Sequence, residues 1–170
     1  RTRYGSGTFR MNVALDRAPE FPSRPGAGSH LSAGIIMAPT LEYMERAYSD
    51  ARTEGWSREP IVEMLVPSTL DDSLAPEGKH VSSLFCQPVA PELPNGQDWD
   101  DARDTVAQHM ISTVDTFAPG FADSVLGYKA LSPADLERML GLTGGDIFHG
   151  ALALNQLYSA RPVIGAADYR

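Results

Sequence analysis

Apolar side chains recur with a period of two at Phe9, Met11, Val13 and Leu15, with Arg10, Asn12 and Ala14 between them. That alternation predicts a strand with one buried face over 9–15. Residues 31–38 form a mostly apolar run, short enough for a second strand. Residues 61–66, bounded by Pro60 and Pro67, predict a third. Residues 80–87 predict a fourth, paired with 61–66 through the polar loop at 68–79, and residues 124–131 predict a fifth. Elsewhere the spacing turns helical. Leu41, Met44, Ala47, Tyr48 and Ala51 predict a helix over 41–54, started by Thr40 and stopped by Gly55. Ala102, Val106, Met110, Val114 and Phe117 predict a longer one over 101–117, capped by Asp100 or Asp101 and ended by Pro119-Gly120. Ser132-Pro133-Ala134-Asp135 has the form of a capping box with proline at the first helical position. It predicts a helix lined by Leu136, Met139 and Leu140, and residues 151–158 predict one short helix more.

Hairpin-capable strands separated by covering helices predict an α+β fold. The expectation is a mainly antiparallel sheet of about five strands with helices packed on one face, in a single domain over residues 1–170. The apolar fraction of 42% is enough for a real core. A net charge of −8 argues against nucleic-acid binding, which needs a basic face, so no nucleic-acid partner is expected. No apolar run reaches the roughly 18 residues of a transmembrane segment. The single cysteine, Cys86, has no partner for an internal disulfide and fits a reducing cytoplasm.

The densest chemistry lies late in the chain, at Gly144-Gly145-Asp146-Ile147-Phe148-His149-Gly150. On residue chemistry alone this is a turn presenting an imidazole beside an aromatic, with glycines free to take positive φ or to let backbone approach a ligand. It is followed by Leu154-Asn155-Gln156-Leu157-Tyr158 and by Arg161-Pro162. Earlier come Ser6-Gly7-Thr8-Phe9-Arg10-Met11-Asn12-Val13-Ala14-Leu15, Pro60 to Ser68, Leu74 to Phe85, Ala118-Pro119-Gly120-Phe121 and Ser132 to Arg138. Together, and in this order, these segments resemble the substrate-side region of the phytoene-dehydrogenase-like FAD-dependent oxidoreductases.

The resemblance implies several things. The parent protein would use FAD and act on an apolar small-molecule substrate, with the flavin-binding domain of the same protein as neighbour. Its Gly-x-Gly-x-x-Gly fingerprint has no counterpart here: Gly5-Ser6-Gly7 is followed by Thr8, Phe9 and Arg10. The chain therefore reads as a piece of a larger flavoprotein, inactive by itself, with no FAD expected on the isolated fragment. His149 would be the catalytic candidate, facing the flavin or the substrate cavity. Gly144, Gly145 and Phe148 would lie against the cofactor. The turn would be exposed and mobile in the fragment, its holding contacts supplied by the flavin domain. The plainer reading of His149, a histidine that fixes a turn through backbone bonds, stands beside this, and Asp146 reads as structural.

Other residues carry less. His30, His80 and His109 are scattered and match no ligand spacing, so no metal is expected. Asp71-Asp72 and Asp98, Asp100 and Asp101 stand where turns and helix starts favour acids. Ser6, Ser82 and Ser83 lack the Gly-x-Ser-x-Gly frame, leaving a hydrolase the weakest option. A stand-alone α+β module binding an apolar ligand or a protein partner is the alternative to the oxidoreductase.

Overall fold

A computed structural model describes residues 3–5, 7–161 and 163–168; Ser6 and Pro162 of the segments above lie outside the described residues. Five strands make one antiparallel sheet: β1 (Gly7–Leu15), β2 (Ile35–Met37), β3 (Trp56–Leu65), β4 (His80–Val89) and β5 (Val125–Leu131). Their spatial order is β2-β3-β4-β1-β5. The helices are α1 (Leu41–Glu54), α2 (Trp99–Phe117), a single turn α3 (Phe121–Ser124) and α4 (Pro133–Leu140). The α+β expectation holds.

Period-two alternation puts β1 at the centre of the core. Phe9, Met11, Val13 and Leu15 are at most 1% exposed and meet Val62, Met64, Leu84 and Cys86 with Val106, Met110 and Val114 of α2. Each such side chain contributes about 1.5–3 kcal/mol by leaving water. Trp99 tilts against Phe9, with ring centroids 5.8 Å apart, and its indole N–H donates to the carbonyls of Ala90 and Pro91. Along β3 lies α1, burying Tyr43, Ala47 and Ala51, and the Tyr43 hydroxyl donates to the Pro60 carbonyl at 2.8 Å. Burial pushes that phenol up to about 12, with the Glu59 carboxylate adding to the rise.

Several boundaries differ from the sequence expectation. The strand expected over 31–38 is only Ile35–Met37, because residues 29–32 wind into a 3-10 turn that drops Leu31 into the core. The strand expected over 61–66 begins earlier, at Trp56, immediately after the left-handed Gly55 that stops α1. The long helix begins at Trp99 rather than 101. Its cap is Asp98, which accepts from the Asp100 N–H at 2.7 Å, since the anchored indole sets the first turn. The capping box at Ser132 forms as expected, but Met139 and Leu140 are 58% and 63% exposed. Only the first turn of α4 is buried, at Pro133, Asp135 and Leu136; the second projects past the layer and stops at left-handed Gly141. The short helix expected over 151–158 is two 3-10 turns, Leu154–Gln156 and Tyr158–Ala160.

The outer side of the sheet is open along β1 and β5. Asn12, Ala14, Gly127 and Lys129 are exposed there, while Arg10, Val81, Ser83 and Phe85 are half-buried.

Candidate functional site

The glycine-rich turn sits where β1 begins and β4 ends. Gly144 and Gly145 take φ of 63° and 64°, the left-handed region that glycine enters without penalty. A Cβ on Gly145 would lie 2.4 Å from the Cα of Pro133, and one on Gly144 would press on Pro91. Close packing against these prolines is what the two glycines serve within this chain.

Asp146 follows, 1% exposed. Its Oδ1 accepts from the Phe148 N–H at 2.9 Å and folds the segment over itself, an Asx turn. Its Oδ2 is buried with no partner among the described residues. Beyond it Ile147, Phe148 and His149 are exposed, and Gly150 is buried again. His149 is a non-glycine residue at φ 57°, so its side chain is carried outward on a left-handed backbone.

What holds the turn was not foreseen. The Arg161 guanidinium donates to the carbonyls of Phe148, His149 and Gly150 at 2.8, 2.9 and 3.2 Å. The Glu137 carboxylate accepts from the Gly144 N–H at 3.2 Å. Gln156 bonds Arg3 twice, accepting from its N–H and donating to its carbonyl, and also donates to the Ala151 carbonyl. The expectation of a turn lacking its holding contacts is therefore corrected: this chain supplies them itself. Gln156 and Arg161 were visible within the segments that carry the resemblance, but spacing gives no role to side chains whose partners are backbone carbonyls.

Beside the turn, four charges tie α2 to α4. Arg138 bonds both Asp100, at 2.6 and 2.7 Å, and Asp135, at 2.7 Å, while Arg103 reaches Asp135 at 3.3 Å. Burial alone would raise the Asp135 carboxyl. Hydrogen bonds from Ser132, Arg138 and Arg103 outweigh it and hold the group at about 2. Asp100 is likewise lowered, chiefly by Arg138.

The remaining candidates are dispersed. Nε2 of His109 meets the Ser57 carbonyl at 3.0 Å, and Nδ1 of His80 meets the Ser68 hydroxyl at 3.2 Å. His30 stands edge-on to Phe21, its ring nitrogens buried without partners among the described residues. No three His, Cys, Asp or Glu converge as a metal site among the described residues. Cys86 is fully buried, and desolvation pushes its thiol well above the ordinary range, so it is core rather than nucleophile. Asp71 caps a 3-10 turn, and Asp98, rather than Asp100 or Asp101, caps α2. No helix among the described residues is long and apolar enough to cross a membrane.

Similarity to known proteins agrees with the reading of the residues. The chain is 44% identical, over 97% of its length, to "Pyridine nucleotide-disulfide oxidoreductase domain-containing protein 2" of Rattus norvegicus, and 40% identical to the protein of that name in Mus musculus. A more distant match, 28% identical over 64% of the chain, is "Carotenoid 3,4-desaturase" of Haloarcula japonica. The chain spans 30% of the length of the rat and mouse relatives. No family model matches it.

Proposed function

From a chain related to pyridine nucleotide-disulfide oxidoreductase domain-containing protein 2 and, further off, to a carotenoid desaturase, we propose the substrate-side domain of an FAD-dependent oxidoreductase acting on an apolar substrate. Residues 1–170 form that domain. The observation that carries this reading is the turn at 144–150: its backbone is pinned by Arg161 and by buried Asp146, while Ile147, Phe148 and His149 point outward. A rigid backbone presenting an aromatic and an imidazole is what a reacting centre needs on its protein side. The single buried thiol supports a cytoplasmic setting.

The residues fit a flavin in part. Phe148 and His149 offer a flat apolar surface and an imidazole to a ring system. Among the described residues Gly7 opens β1 against Pro133 and Val89 and leads into no phosphate-binding helix. FAD would supply the acceptor for a hydride or electron pair drawn from a C–C or C–N bond. This chain's own part is to orient and to exclude water. Phe148 and Ile147 press apolar surface on the bound substrate, the imidazole of His149 holds or passes a proton at its ring nitrogens, and Gly144 and Gly145, packed on Pro91 and Pro133, fix the place from which the turn presents them to the cofactor.

The test uses the full-length protein. His149→Asn keeps a residue tolerant of left-handed backbone and removes the imidazole; Phe148→Ala removes the ring. Each slows reduction of the flavin by substrate about tenfold or more, with the melting temperature unmoved. Normal turnover in both variants makes the turn scaffold and ends the assignment.

A further inference from the structure

At the β2 edge of the sheet a cavity of about 420 Å³ opens between two turns of the chain. Phe21, Ser23 and Arg24 line it from one turn, Ser29 and His30 from the other, and Ile35 of β2 closes it. Ile35 faces the same way as buried Met37, two positions on, so the cavity lies on the helix side of the sheet, away from the open face. Both turns are anchored. Phe21 and Leu31 are each 6% exposed and belong to the core. The Phe21 carbonyl accepts from the Arg24 N–H at 2.9 Å, and the Leu31 N–H donates to the Gly28 carbonyl at 3.0 Å. The Leu31 carbonyl accepts in turn from the Thr69 hydroxyl at 3.2 Å. The volume falls within the roughly 300–1,000 Å³ of small-molecule sites, whose walls are usually formed in advance.

The polar groups around the cavity are mostly donors. Neither Asp nor Glu is among its lining residues, although the chain carries a net charge of −8. Among the described residues Arg24 forms no ion pair, whereas Arg46, Arg58, Lys79, Arg103 and Arg138 all do. Ser23 and Ser29 add two hydroxyls. His30 stands edge-on to Phe21, with ring centroids 6.4 Å apart. Both of its ring nitrogens are shut off from water and lack partners among the described residues. A neutral imidazole has one donor and one acceptor nitrogen, so both needs are unmet. The apolar surface comes from Phe21, Ala33 and Ile35.

We propose that this cavity binds a small aromatic carboxylate. Its ring lies beside Phe21 and Ile35, its carboxylate pairs with the Arg24 guanidinium, and the His30 ring turns about its Cβ–Cγ bond to donate to it. A guanidinium pairs with a carboxylate through two parallel hydrogen bonds. One guanidinium with no lysine beside it matches the single charge of a carboxylate better than the double charge of a phosphate. An aromatic ring gains from edge contact with the Phe21–His30 pair already in place. No residue of the 144–150 turn lines the cavity, and the site stands whether or not that turn meets a flavin.

Calorimetry on the full-length protein tests this, with naphthoate, naphthalenemethanol, naphthyl phosphate and acetate as probes. Naphthoate binds about tenfold more tightly than the alcohol, and acetate does not bind measurably. Arg24→Gln brings naphthoate down to the affinity of the alcohol and leaves the alcohol unchanged. Ala33→Trp fills the cavity and abolishes binding of both, while Phe148→Ala leaves both as they were. Arg24 and Ala33 are exposed, so neither variant disturbs the core. The imidazole nitrogen signals of His30 shift in NMR spectra when naphthoate is added. Equal affinity for acid and alcohol, naphthoate binding indifferent to Arg24→Gln, or tighter binding of naphthyl phosphate overturns the carboxylate. Binding that survives Ala33→Trp, or that Phe148→Ala abolishes, overturns the site, and unmoved His30 signals overturn the part given to the imidazole.

Discussion

The sheet with its helices and the segment from Leu142 to Arg161 are held together by different physics. The first is an apolar layer, where Phe9, Val13, Val106 and Val114 are fully buried and repeat with the period of the element that carries them. The second has hardly any apolar burial. Its fixed points are a carboxylate, a guanidinium, an amide and glycines packed on proline. A layer built from many interchangeable contacts tolerates change at its rim. A turn built from a few directional bonds depends on each of them.

The sharpest contrast comes from truncating one phenylalanine in the core and one on the open face. Phe9→Ala removes a side chain at 0% exposure and should cost about 3–5 kcal/mol of unfolding free energy. Phe85→Ala, half-buried on the open side, should cost well under half of that. Urea titrations of the two variants decide the matter, and equal costs would mean that the outer face is packed like the inner one.

Gly145→Ala probes the other regime. The new methyl group meets Pro133 backbone at 2.4 Å, and the residue would sit at φ 64°. A cost of about 1–3 kcal/mol follows from the left-handed conformation alone, with the steric clash added to it. The damage should appear as faster amide exchange at Phe148, His149 and Ala151 while the β1 amides keep their protection. Uniform loss of protection would show that turn and layer melt together.

The smallest effect lies at the joint between the two regions. Asp135 is held at about 2, below its ordinary 3.8. A carboxyl lowered on folding contributes stability that is complete above its unfolded value and lost as pH falls through its folded one. Stability should therefore decline between about pH 4 and about pH 2 through this group, and Asp135→Asn should flatten that part of the profile. Denaturation midpoints across the interval measure it; a variant with the same slope assigns acid sensitivity elsewhere.

The contrast also explains what could be read in advance. The alternation at 9–15 and the cap at Thr40 are local signals, and both elements form where the pattern puts them. Periodicity failed where a residue serves another element. Leu31 leaves its apolar run to plug the core, and Trp99 draws the start of α2 toward its own anchor on Ala90 and Pro91. In the turn, glycine spacing announced left-handed backbone at Gly144 and Gly145. The clasp by Arg161 is a contact over 13 residues with Phe148 and leaves no periodic trace. The structural role read for Asp146 holds, but its nearly complete burial leaves no trace in spacing.

The pair of hydrogen bonds between Gln156 and Arg3 joins positions 153 residues apart. They fasten the stretch that leads into β1 to the segment that carries the turn, so the register of one is tied to the position of the other. Loss of the Gln156 amide would loosen the leading stretch and the late segment together, though they lie at opposite ends of the residues described.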